Sequence, residues 1–162
     1  MTEIYVTPKT GPSVNRHRSK QDYQTPFDFR DAVTARFGPI ECDLAADQFN
    51  CFGASFITKE QDSFRSEWHK KLGPLWLNPP FADIRPWAKK CAEEAAKGAC
   101  ILFLTPASVD SNWWTDFVHD KAGVLFLNPR LSFDGRNSYP KPLALSCYNL
   151  RPSGTYAPWR WK

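Results

Sequence analysis

The sequence has no CxxC pair, no internal repeat and no apolar run long enough for a membrane span. Its longest apolar stretch, near Ile101 to Leu104, is bounded by Lys97, Gly98 and Pro106. No transmembrane helix is expected. The five cysteines (Cys42, Cys51, Cys91, Cys100 and Cys147) are odd in number, and no signal-peptide pattern precedes them, so reduced thiols in a cytoplasmic protein are expected. His17, His69 and His119 share no metal-ligand spacing with those cysteines, and no Ser-His-Asp order is recognisable. The expectation is therefore no metal and no covalent nucleophile.

What is present is a globular composition with a surplus of rings and prolines. Hydrophobic residues make up 42% of the 162 and charged residues 23%, which argues against disorder. The 14 prolines and 15% aromatic content predict many loops and stacking surfaces. A net charge of +4 permits a polyanionic partner without requiring one. Residues 1–24 carry Lys9, Arg16, His17, Arg18 and Lys20 without a hydrophobic period, and are expected to be a flexible basic arm. Residues 25–162 are expected to form one domain.

Within that domain helix and strand patterns alternate. "TPFDFRDAVTARFG" spaces Phe29, Val33 and Phe37 by fours, opens with Thr-Pro and stops at Gly38, which predicts a helix. "IECDLAAD" and "ASFIT" read as short strands, and "PLWL" as a third. "PWAKKCAEEAAKG" is helical, with Lys90 and Glu94 paired at i,i+4. "ACILFLTP" is the continuous apolar run of a strand buried on both faces. A further helix in "VDSNWWTDFVHDKAG" and strands in "VLFLNPRLSF" and "PLALSCYNL" complete the order, and the tail "RPSGTYAPWRWK" reads as irregular. The pattern predicts a doubly wound, mostly parallel α/β sheet with an antiparallel edge. In such sheets ligands bind beyond the carboxyl ends of the strands, which draws attention to Asp43, Asn78 and Thr105.

The most unusual of these strand ends is "NPPF", residues Asn78 to Phe81. Pro79 and Pro80 have no backbone donor and restrict the chain, Pro79 also biasing Asn78 toward an extended conformation, so carbonyl oxygens and the Asn78 side chain are held stiffly. Phe81 adds a flat apolar face. Rigid acceptors beside a flat face suit a planar ring bearing an amino group, such as adenine. Two hydrogen bonds, to the Asn78 side-chain oxygen and the Pro79 carbonyl, would localise the amine lone pair for in-line attack on an activated methyl group. A plain strand-ending turn accounts for the same four residues without any chemistry.

"LWLNPPF" resembles the (D/N)PP(Y/F/W) motif of S-adenosylmethionine-dependent amino-methyltransferases. The order "DYQTPFDFRDAVTARFG", "ECDLAADQFN", "LWLNPPFADIRPWAKKC", "ILFLTPASVDSNWW" is similar to the small phage-type DNA N6-adenine methyltransferases of the Dam family. That resemblance implies a Rossmann-like methyltransferase fold and a phage-encoded enzyme of the bacterial cytoplasm that uses S-adenosylmethionine on DNA. It assigns Asn78, Pro79, Pro80 and Phe81 to catalysis. It assigns Tyr23, Gln24, Thr25, Pro26, Asp43, Leu44, Ala45, Asp62 and Asn78 to cofactor binding, with Asp43 facing the ammonium and Asp62, or alternatively Glu60, the ribose. The loop "DLAAD" departs from the family's Gly-rich form, with alanines where glycines are expected.

Chemistry of this kind requires adenine to be flipped from the duplex. Arg16, Arg18, Trp113, Arg130 and Arg136 are the expected DNA contacts, with Lys141 a further cation, while Trp114 is expected in the core from its spacing to Val118. Cytosine N4, RNA adenine and protein glutamine are alternative acceptors for the same chemistry, and a non-catalytic DNA-binding regulator is an alternative use of the fold.

Overall fold

In the computed structural model, residues 23–162 are described; Arg16 and Arg18 lie outside them. The described chain runs α1 (Phe27–Phe37), β1 (Cys42–Asp43), β2 (Ser55–Phe56), β3 (Pro74–Leu77), α2 (Arg85–Ala96), β4 (Cys100–Pro106), α3 (Asn112–Phe117), β5 (Gly123–Asn128), β6 (Leu143–Tyr148) and β7 (Tyr156–Arg160). Two 3-10 turns, Ser63–Arg65 and Trp68–Lys70, fill the connection from β2 to β3.

Pro26 precedes α1, whose Phe29 and Val33 are buried one turn apart, and Gly38 ends it at φ 88. A side chain there would be strained, which explains why the helix stops where the glycine sits. α2 carries a proline in its first turn and buries Ala88, Cys91 and Glu94 on one face. Glu94 is buried because it is saturated with partners: Lys90 Nζ at 3.0 Å, and the backbone N and Nδ1 of His69 at 2.9 and 2.6 Å. Burial pushes its carboxyl up, but the His69 and Lys90 hydrogen bonds outweigh that and bring it down to about 2.

The strands form one seven-stranded sheet in the order β2-β1-β3-β4-β6-β5-β7. β2, β1, β3 and β4 pair in parallel; α2 makes the crossover from β3 to β4, the two 3-10 turns lie between β2 and β3, and a helix-free loop joins β1 to β2. β6 alone runs against its neighbours, pairing antiparallel with β4 and with β5, so antiparallel pairing gathers at one side of a mostly parallel Rossmann-like sheet. β7 adds parallel to β5 with Leu125 opposite Ala157. The tail expected to be irregular is thus a strand. Its alternation is masked by Pro158 and by an outer face left exposed at the sheet's edge.

Successive strand residues serve opposite faces. Leu75, Leu77, Ile101 and Phe103 join the core under α2, while Trp76, Leu102 and Leu104 join the core under α1. Helices therefore cover both faces, and of the buried polar residues Asp43 and Thr105 stand at or next to the carboxyl ends of β1 and β4. α3 is shorter than the sequence pattern suggested, because after Phe117 the chain turns and Asp120 takes φ 58. No helix among the described residues is long and apolar enough to cross a membrane.

Candidate active site

Asn78 is the first residue past β3, and its carboxamide is held from one side. Nδ2 donates to the Tyr23 carbonyl at 2.6 Å and to Thr25 Oγ1 at 3.2 Å. A backbone carbonyl can only accept, so that contact fixes which end of the amide carries the hydrogens. The Thr25 hydroxyl, itself buried, also accepts from Trp76 Nε1 at 3.2 Å. At the other end of the amide, Asn78 Oδ1 is buried and has no hydrogen-bond partner among the described residues. An orphaned buried carbonyl oxygen is unfavourable by about 1–3 kcal/mol, and native structures keep few of them.

Beyond the asparagine stands a group of four rings. Tyr23 stacks on Phe133 with centroids 4.8 Å apart, and Phe81 lies 5.8 Å from Tyr23, 5.7 Å from Tyr139 and 6.3 Å from Phe133. Phe133 and Tyr139 come from residues 129–142, the connection from β5 to β6. Its two limbs are tied by the Tyr139 N–H to the Leu131 carbonyl at 2.7 Å and by Arg130 Nη1 to the Pro140 carbonyl at 2.8 Å. At its tip Asp134 accepts from the backbone N–H groups of Arg136 and Asn137, both at 2.8 Å, which hold its carboxyl well below the ordinary range. Arg130, Arg136 and Lys141 are exposed on this same connection. Pro79 is buried and Pro80 exposed, so the motif passes from core to surface within one step.

Asn78, Pro80 and Tyr23 also form one wall of a cavity of about 550 Å³ at the carboxyl ends of β1, β2 and β3. Leu44, Ala45, Ala46 and Asp47 line it from the loop after β1, and Thr58, Lys59, Glu60 and Asp62 from the segment after β2. Phe64 and Trp87 close it as a ring pair 4.3 Å apart. Three carboxylates against one lysine make the lining acidic. Asp62 Oδ1 accepts the Phe64 N–H at 3.1 Å, and Asp62 Oδ2 lies 3.5 Å from Arg65 Nε, leaving the segment compact at φ 54 for Asp62. The volume lies within the 300–1,000 Å³ usual for small-molecule sites.

Asp43 does not line that cavity; it braces the loop that does. Its Oδ1 accepts from Ala45 N at 3.2 Å and its Oδ2 from Phe52 N at 2.8 Å, at 5% exposure. Burial pushes its carboxyl up to about 6, against those two hydrogen bonds and the charge of Arg30. Arg30 in turn ties α1 to the loop, donating to the Thr25 carbonyl at 2.8 Å, the Cys51 carbonyl at 2.7 Å and Asn50 Oδ1 at 3.1 Å. Gly53 lets this loop cross β1: a Cβ there would stand 3.0 Å from Asp43 N and from the Ser55 carbonyl oxygen.

The site residues inferred from the sequence thus fall into groups. Tyr23, Thr25, Asn78 and Phe81 are brought together, and Leu44, Ala45 and Asp62 meet Asn78 around the cavity. Pro26 starts α1, where its carbonyl accepts the Arg30 N–H, and Gln24 is exposed beside it. Trp113 is half-buried with its ring 5.6 Å from that of Trp114, which is core at 2% exposure. Phe64, Trp87, Phe133, Tyr139 and Arg30 were not inferred. Phe133 closes "VLFLNPRLSF", which reads as a strand, whereas β5 ends at Asn128 before the cis Asn128–Pro129 bond; Tyr139 lies in "DGRNSYPK", which reads as a turn. Among the described residues no cluster of His, Cys, Asp or Glu could hold a metal ion.

Residues 13–142 match the family described as DNA N-6-adenine-methyltransferase (Dam), a span that ends one residue before β6. A DNA N-6-adenine-methyltransferase of Escherichia phage T1 is 26% identical over 112 residues, which is 69% of this chain and 47% of the phage protein. The chain therefore spans about half the length of that curated relative. With the family match covering most of its length, from residue 13 through the β5–β6 connection, the chain belongs to the Dam family of DNA N-6-adenine-methyltransferases.

Proposed function

We propose that this chain transfers a methyl group from S-adenosylmethionine to N6 of a flipped-out adenine in DNA. The observation that carries the reading is Asn78 Oδ1, a buried acceptor without a partner among the described residues, beside rigid prolines and an aromatic wall. An adenine amine is a donor that would satisfy it, with the Pro79 carbonyl as second acceptor and Phe81 against the ring face. Family membership and the phage relative's name point to the same substrate.

The acidic cavity fits the cofactor by size and by charge. Asp47, Glu60 and Asp62 complement a positively charged ligand, the Leu44 and Ala45 backbone approaches it, and Phe64 and Trp87 offer faces for a nucleoside ring. When bound, S-adenosylmethionine would supply an electrophilic methyl group with a thioether as its leaving group, for the N6 lone pair to take while water accepts the amine proton. The residues' task is positioning, since in-line transfer needs alignment more than a strong base.

Adenine must leave the duplex to reach Asn78, at roughly a few kcal/mol. Arg130, Arg136 and Lys141 on the exposed β5–β6 connection, with Arg16 and Arg18 of the arm, would neutralise phosphates, and Trp113 is a further DNA contact. The test uses purified protein, S-adenosylmethionine labelled in the methyl group and adenine-containing duplex and single-stranded DNA. Label recovered as N6-methyladenine is the expected result; label in cytosine, in RNA only, or in no nucleic acid would overturn the reading.

A further inference from the structure

The proposed acceptor, Asn78, does not hold itself. Its side chain follows a strand end, where an amide is free to rotate by a half-turn and exchange its oxygen for its nitrogen. In this fold the exchange is blocked from one direction. A flipped amide would put Oδ1 where Nδ2 now lies, 2.6 Å from the Tyr23 carbonyl oxygen, two acceptors in contact with no proton between them. Thr25 reinforces the choice: its hydroxyl takes donors from both Trp76 Nε1 and Asn78 Nδ2, each at 3.2 Å, so the indole at the end of β3 anchors the hydroxyl that anchors the amide.

We propose that Thr25 and the Tyr23 carbonyl form an amide clamp that sets Asn78 with Oδ1 presented to substrate, and that the clamp makes position 78 require an amide rather than a carboxylate. Thr25 is a positioning residue on this assignment and touches no reacting atom. The inference rests on the methyltransferase reading only for what Oδ1 accepts; the clamp itself is a property of the folded chain. It also gives the segment before α1 a role apart from cofactor contact. Residues 23–25 deliver one carbonyl and one hydroxyl to the end of β3, more than fifty positions away.

A carboxylate at position 78 meets the clamp badly. One oxygen of an Asp would face the Tyr23 carbonyl, and the repulsion would be relieved only when that oxygen carries a proton and donates it. The ionisable groups lining the same cavity are Tyr23, Asp47, Lys59, Glu60 and Asp62, and these are common to parent and variant, so their titration cancels in a ratio. The family motif admits both Asp and Asn, whereas this chain's clamp accepts only the amide at neutral pH.

The test has one arm without catalysis and one with it. In 15N-labelled free protein, the Asn78 side-chain amide protons should exchange slowly with solvent; in Thr25→Val they should exchange about tenfold or more faster, and in Thr25→Ser remain protected. In methyl transfer, Thr25→Val should lower kcat about tenfold or more with KM for cofactor little changed, and Thr25→Ser should restore it. Asn78→Asp should fall about 10- to 100-fold below parent at pH 8, with the ratio recovering as pH falls toward 6. Unprotected Asn78 protons in the parent, a fast-exchanging amide in a fully active Thr25→Val, or a pH-independent Asn78→Asp ratio near one would overturn the clamp. Protected protons in a parent that methylates no DNA would support the clamp and sink the methyltransferase reading instead.

Discussion

Replacing Asp43 by asparagine should change how stability varies with pH, and the sign is opposite to that of a carboxylate lowered by ion pairing. The ordinary value for this carboxyl is 3.8; burial at the end of β1 pushes it up to about 6, with Asp47 acting in the same direction and Phe52, Ala45 and Arg30 against. Between those two values the folded chain binds more protons than the unfolded one, so stability falls as pH rises. The contribution is fully present below 3.8 and lost once pH passes about 6. At about 1.4 kcal/mol per pH unit its full size is about 3 kcal/mol, of which about 2 kcal/mol is present at pH 4.5. Asp43→Asn has no such titration. It also has one oxygen where two backbone N–H groups need acceptors, so its amide nitrogen meets either Ala45 N or Phe52 N, a pH-independent loss of about 1–3 kcal/mol. Urea unfolding of both proteins at pH 4.5 and pH 7.5, at constant ionic strength, separates the two effects. The parent's advantage over Asp43→Asn should shrink by about 2 kcal/mol on going to the higher pH. A constant gap, or one that widens, would show that Asp43 is not destabilised by its burial and that the hydrogen bonds from the loop dominate.

Glu94→Gln should behave in the opposite sense: its carboxyl is brought down to about 2, so the parent's advantage should be present above about 4.5 and be lost as pH falls through the acid range, measured by the same unfolding experiment. Asn78→Ala should reduce methyl transfer by about 10²- to 10³-fold while leaving cofactor binding, read by calorimetry, largely intact. Gly53→Ala should destabilise the fold by about 1–3 kcal/mol, because its Cβ would press on the backbone of Cys42, Asp43 and Ser55 and none of these can swing aside, and thermal unfolding checks this. Phe133→Ala should raise KM for DNA more than KM for cofactor, since Phe133 packs on Tyr23 and Phe81 and is absent from the cavity lining.

The scaffold was legible wherever local pattern and tertiary burial agree. β4 is apolar at nearly every position because both its faces are covered, and α2 shows its helical spacing because only one face is. β7 was not legible, since an edge strand with a proline and one exposed face lacks either signature. The motif Asn78 to Phe81 was legible because prolines leave few conformations open. The residues that surround it were not: Phe64 and Trp87 meet across a cavity, and Phe133 and Tyr139 reach Phe81 from a connection some fifty residues later. Pairings over such separations depend on the register of the sheet, which no single segment records.

The same limit explains why Asp43 and Asn78 looked alike in sequence and differ in the fold. Both end a parallel strand beside the cleft, and strand position alone suggested that both face ligand. What separates them is how many partners the neighbouring backbone supplies. The loop after β1 folds back through Gly53 and gives Asp43 an N–H for each oxygen, so its carboxylate is consumed in holding Ala45 and Phe52. The prolines after Asn78 have no N–H to give, and the clamp from Tyr23 and Thr25 engages only the nitrogen. An acceptor is thereby left over at position 78 and not at position 43. Two prolines that look like punctuation therefore decide which strand end keeps a spare acceptor, by withholding the donors that would otherwise have satisfied it.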